Sequence, residues 1–284
     1  MAEPVAIGQP DIAGADRVPG TLRVVGMLVR ARLAAQLSYR RSFAADMVGQ
    51  VLFVGLDFVE LFAVLHRAPT VGGLDFASLL LVFALAQLGF ALGSVVLGQF
   101  DQIHERVRAG TVDVLLVRPM SPLLQAATED VALRRLGRLV TAAVILPVAL
   151  WVSHPHLGAA TLALTVLTPL AGAVVFAALY VISGSITFWL VDGHEFGNAF
   201  TYGGSYLAQW PVTVLPTALA RVFTFVLPAA FVAYLPSLVI LGRTELSPVP
   251  VWMCWASPLA ALWTVALAAG CWRLALRHYT GAGG

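Results

Sequence analysis

The sequence predicts an all-α integral membrane protein with six transmembrane helices behind an N-terminal interfacial amphipathic helix. The first observation behind this is composition. Of 284 residues, 59% are hydrophobic and 11% charged, with a mean hydropathy of +0.86; a soluble domain carries about 25% charged residues. The second is a series of apolar runs, each long enough to cross a hydrocarbon core of about 30 Å. The third is the distribution of the 17 basic residues, all arginine. If both termini lie inside, only Arg67 and Arg243 fall outside, and the other fifteen cluster at the cytoplasmic ends of the spans. That is the positive-inside asymmetry of a multi-pass protein.

Taken in order, residues 1–20 carry Asp11, Asp16, Arg17 and several prolines and glycines, with no apolar h-region. They read as a disordered cytoplasmic tail rather than a signal peptide. Residues 21–41 alternate Leu and Val with Arg23, Arg30, Arg32, Arg40 and Arg41 at helical spacing. That mixture is too charged to span and suits a helix lying in the membrane interface. The first span is expected over 43–65. It carries Asp57 and Glu60, three apart on one face, and acids at membrane depth turn inward or pair. They are a possible polar face on a translocation path. The plainer reading has Glu60 reaching the outer interface and Asp57 finding a hydroxyl or backbone partner.

The second span is expected over 77–100, where Gly89 and Gly93 make a small-xxx-small face for close helix contact. The third is expected over 136–153, with a kink at Pro147. An apolar run over 157–190 exceeds one membrane thickness, so Pro169, Gly172 and Gly184 are places for the fourth span to bend or break. Residues 196–216 are aromatic and glycine-rich, and read as an interfacial segment. The fifth span is expected over 222–241 with Pro228 and Pro236 inside it, and the sixth over 251–276. Cys254 and Cys271 fall in one helix, about 25 Å apart at 1.5 Å per residue, too far to pair. His154 and His156 suggest a metal site only weakly, since no cysteine or acid stands nearby.

Between the second and third spans, residues 101–122 read DQIHERVRAGTVDVLLVRPMSP. Residues 102–108 make about two helical turns, Gly110 breaks them, and Arg118-Pro119 with Pro122 stops the apolar run that follows. A short charged helix held across the cytoplasmic ends of two spans suits a push from a soluble partner. No G-x-x-x-x-G-K-[ST] phosphate loop is present, nor H-E-x-x-H or G-x-S-x-G, so no catalytic or metal-ligating residue is assigned. No basic patch interleaved with aromatics suggests nucleic acid, and the arginines suit anionic lipid better.

The stretch Gly110-Thr111-Val112-Asp113-Val114-Leu115-Leu116-Val117-Arg118-Pro119, followed by Ser121-Pro122-Leu123-Leu124-Gln125, resembles the G-x-x-D-x-L-L-x-R-P pattern of a bacterial branch of type 2 ABC exporter permeases. The layout is similar across nearly the whole chain. The resemblance implies a permease fold and a transport subunit rather than an enzyme. It implies a second permease, homologous or identical, and two ATPase subunits holding ATP and Mg, with none in this chain. The coupling helix would then run over His104, Glu105, Arg106, Arg108, Gly110 and Asp113, with Arg118 and Pro119 beyond it. Glu105, Arg106, Arg108 and Asp113 would meet the ATPase, while Gly110 and Pro119 shape the loop. The location implied is the inner (plasma) membrane. Two other classes remain: an ion-coupled secondary transporter, which would show repeat halves and broken spans, and a stand-alone lipid-handling enzyme, which would need matched polar residues on several spans.

Overall fold

The computed structural model describes residues 40–112, 123, 125, 134–156, 158–190 and 193–279. The expected tail, nearly all of the interfacial helix, and Asp113, Arg118 and Pro119 lie outside the described residues.

The described chain is helical, with a single isolated β-bridge, Val71 to Leu74. Helix α1 is Arg40–Arg67, longer than its apolar stretch because arginine and aromatic residues continue it at both ends. Helix α2 is Phe76–Leu97. A 3-10 turn, Gly98–Gln102, carries it into the short α3, Ile103–Arg108. Helix α4 is Arg134–Ser153, and α5 is Ala159–Ile186. Helix α6, Gly193–Leu207, precedes α7, Thr217–Arg221. After a π-turn over Val222–Val226 come α8, Ala229–Val232, and α9, Tyr234–Ile240. Helix α10, Ser257–His278, closes the bundle.

Among the described residues, five helices are long and apolar enough to cross a membrane, and one bent pair makes a sixth span. That pair, Thr217–Val226 and Ala229–Ile240, is bent by 61°. The sequence placed Pro228 inside a span over 222–241; the span starts five residues earlier and breaks at that proline. Pro228 has no N–H to continue the ladder, and Leu227 bonds back five residues to the Val222 carbonyl at 3.0 Å. A broken span must re-satisfy its backbone groups internally. Here the buried Ser257 hydroxyl of α10 donates to the Phe231 carbonyl at 2.8 Å.

The core forms around α5, which packs on α2, α6 and α10; α4 packs on α2 and on α1. Contrary to expectation, Pro169, Gly172 and Gly184 do not interrupt α5, which runs for 28 residues. Both glycines serve close packing instead. A Cβ on Gly172 would sit 3.0 Å from Val232 Cγ1, and one on Gly89 of α2 would sit 3.3 Å from Gly172 Cα. One on Gly93 would meet the Ala173 carbonyl oxygen and Phe176 Cβ, both at 2.8 Å. The small-residue face of α2 therefore lies against α5, as small residues in membrane bundles do. On its outer side α1 exposes Leu52, Phe53 and Leu56.

Two further differences from the sequence reading concern the ends. Residues 196–216 were expected as an interfacial segment; most of them form α6, packed on α5. Cys254 lies in a separate 3-10 turn, Val251–Trp255, and not in the helix of Cys271. It is buried within 3.3 Å of the Ser247 hydroxyl. At this same end Gly72 (φ +60) and Gly73 (φ +82) form a tight turn, the paired positive φ of a type I′ connection. Arg243 reaches it, 3.4 Å from Asp75. Both side chains are part-exposed, so the contact contributes at most about 1 kcal/mol.

Candidate functional site

The candidate site is the end of the bundle where α2 runs out into the 3-10 turn and α3. The sequence suggested a short helix lying across two span ends. The structure differs: Phe76–Arg108 continues as one rod of 33 residues, about 50 Å at 1.5 Å per residue. Nothing between Gly98 and Arg108 forbids helical turns, and the 3-10 tightening keeps the chain coiling in one sense. A rod of that length outruns a core of about 30 Å, so its last turns extend past the hydrocarbon while still packed on α5 and α10.

Gly110 ends the rod. It takes φ +66, and its N–H donates to the Val107 carbonyl at 3.2 Å, while Thr111 N–H donates to the Arg106 carbonyl at 3.0 Å. These two bonds form a Schellman cap, with glycine at the left-handed position that L side chains avoid. The helix break read from Gly110 is therefore a defined stop.

Polarity divides the projecting turns into two faces. Ile103 and Phe100 are buried. Phe100 meets Trp272 of α10 edge-on at 5.5 Å between centroids, and Trp272 meets Phe188 at 5.9 Å. A Cβ on Gly184 would lie 2.8 Å from Ile103 Cγ2, so α5 and the rod touch where α5 has no side chain. Glu105 and Arg108 are exposed on the other face; His104, Arg106 and Gly110 are half-buried. His104 Nδ1 lies 2.7 Å from the Asp101 carbonyl oxygen. Of the residues singled out at this end, the structure brings together His104, Glu105, Arg106, Arg108 and Gly110.

Asp57 and Glu60 lie away from this end and face different partners. Asp57 accepts from the Gln87 amide of α2 at 2.8 Å, neither a hydroxyl nor backbone as the sequence suggested. Glu60 accepts from the Tyr206 hydroxyl of α6. One turn earlier on α6, the Tyr202 hydroxyl donates to Asp101 Oδ2 at 2.5 Å. The i, i+4 tyrosine pair was visible in the sequence, but its partners, 101 and 146 residues away, were not. Gln87 was missed because an amide inside an apolar run carries no motif. Gln87→Leu is expected to lower stability by about 1–3 kcal/mol, because it strands a carboxylate at membrane depth. Adding Asp57→Leu is expected to restore much of it, and thermal unfolding in detergent reads both.

A helical bundle of up to six apolar spans among the described residues is the build of a multi-pass membrane protein. The chain belongs to the family described as ABC-2 family transporter protein, whose model matches residues 51–283. It is thus a multi-pass membrane protein and the permease component of an ABC transporter, a family whose members partner ABC ATPase subunits. No curated protein matches it significantly.

Proposed function

We propose that this chain is the permease of an ATP-driven exporter, forming half of a translocation path and coupling through residues 104–113 to a separate ATPase. The observation that carries the proposal is the two-sidedness of the rod's end. Glu105 and Arg108 are exposed, while Phe100 and Ile103 are buried against α5 and α10. A force on the exposed face is passed to the bundle through the buried one. Two ATPase subunits, holding ATP and Mg, lie below this end, and a second permease, homologous or identical, completes the path. Asp113, Arg118 and Pro119 belong to the same coupling passage. Closure of the ATPases rocks the two halves and opens a route between the first, second and fifth spans, with Asp57 and Glu60 as its polar face. The arginine asymmetry orients both termini to the cytoplasm of a cell whose plasma membrane holds the complex.

The test is co-purification of the tagged permease with its ATPase. Glu105→Arg combined with Arg108→Glu is expected to reduce recovery of the ATPase at least tenfold, while the permease elutes and melts as before. Undiminished recovery would sink the assignment of this end as the docking face.

A further inference from the structure

Beside the rod, α1, α4, α5 and α6 line an open polar cavity of about 340 Å³. Arg135 and Arg138 of α4 face Asp101 and Tyr202 across it, with Gln50 of α1 and Tyr180 of α5 completing the wall. The two arginines are three apart on α4 and so share one helix face. Arg138 lies over the Phe90 ring, 5.0 Å from its centroid, and its buried Nε has no hydrogen-bond acceptor among the described residues. Arg135 Nη1 donates to Gln99 Oε1 at 3.3 Å. Its guanidinium rests against Gly98, where a Cβ would come within 2.7 Å of Cζ. Neither arginine forms an ion pair with a carboxylate among the described residues.

We propose that this cavity binds the phosphodiester of an anionic phospholipid, a ligand independent of whether the rod's end docks an ATPase. Each guanidinium offers five N–H donors and no acceptor. Among the described residues one protein acceptor serves the two, so donor capacity remains for an oxyanion, which guanidinium recognises in a forked geometry. Two arginines against Asp101 leave the wall one positive charge in excess, which matches a monoanionic diester better than a phosphate dianion. The Tyr202 hydroxyl bond to Asp101 occupies one carboxylate oxygen on the opposite wall. The lipid source follows from the surroundings. Phe53, three residues beyond Gln50 and on the same face of α1, is an exposed apolar side chain. An acyl chain can lie along it while the headgroup turns inward. A free anion gains nothing from that contact.

The full chain in dodecyl maltoside, titrated with dioleoylphosphatidylglycerol, dioleoylphosphatidylcholine or inorganic phosphate, tests this by thermal unfolding. Phosphatidylglycerol is expected to stabilise at roughly thirtyfold lower concentration than phosphatidylcholine, the scale that two arginines at about 1 kcal/mol each set near an anionic lipid. Arg135→Gln with Arg138→Gln is expected to abolish that preference while keeping a cooperative transition. If the double variant does not fold, Arg138→Gln alone is expected to narrow the preference severalfold. Equal effects of the two lipids, a preference that survives the variants, or a full shift from inorganic phosphate alone would each overturn the proposal.

Discussion

Gly93→Val is expected to destabilise the bundle by about 3 kcal/mol or more, the upper end of what overpacking costs. The added Cβ would fall 2.8 Å from both the Ala173 carbonyl oxygen and Phe176 Cβ. The first is backbone of an unbroken helix, and the second is anchored in a side chain that is itself buried. Neither can rotate away, so α2 and α5 must separate. That separation also opens the ring contact between Phe90 and Phe176, 5.1 Å between centroids. Gly55→Val on α1 is the matched control, because no described residue lies within 4 Å of a Cβ there. The prediction is read as loss of monodisperse protein and a lowered melting midpoint for Gly93→Val, with Gly55→Val close to the parent. Similar melting of the two would mean that α2 and α5 do not meet at this face.

The contrast between Gly93 and Gly55 shows what the sequence can and cannot say. Apolar length and arginine asymmetry made the spans legible, because lipid imposes one-dimensional constraints on each helix. The same constraints are silent about neighbours: lipid-facing and helix-facing positions are equally apolar, so Gly172 and Gly184 read as breaks when they are contacts. Pro228 shows the converse. Its missing N–H was legible, but the Ser257 hydroxyl that satisfies the Phe231 carbonyl beyond the break, from 26 residues away, was not. At the projecting end, Gly110 was read correctly as a stop because positive φ is a local property. The direction of the preceding helix was misread, because the continuation through Gly98–Gln102 rests on Phe100 and Ile103 finding α5 and α10. Asp101, Tyr202 and Arg138, which meet across the polar cavity, come from three separate elements and share no motif.

Gly184→Val is expected to uncouple the rod's end from the bundle without unfolding either. A Cβ there would lie 2.8 Å from Ile103 Cγ2, 3.1 Å from Phe100 Cδ1 and 3.3 Å from the Phe100 carbonyl oxygen. The strain can be relieved at either end of the α2–α5 contact. Near Gly89 and Gly93 the two backbones touch directly, so little movement is available there. At residues 98–108 the rod is held by Phe100, Ile103 and the Trp272 ring, and its far face is exposed. The rod's end therefore yields first. An overpacking penalty of about 1–3 kcal/mol, confined to the docked arrangement, lowers its population roughly 5- to 150-fold. Under the proposed docking, Glu105 and Arg108 remain on the exposed face, so ATPase binding and ATP hydrolysis are expected to persist. Closure of the ATPase is then expected no longer to pass through Phe100 to α5 and α10. Hydrogen exchange on the reconstituted complex, with and without nucleotide, distinguishes the cases. The parent is expected to show nucleotide-dependent protection along α5, and Gly184→Val to lose it while ATP hydrolysis stays within about twofold, as expected for an interaction absent from the hydrolytic step itself. A variant that keeps the parent's response would show that the push enters the bundle by some route other than the contact at Gly184.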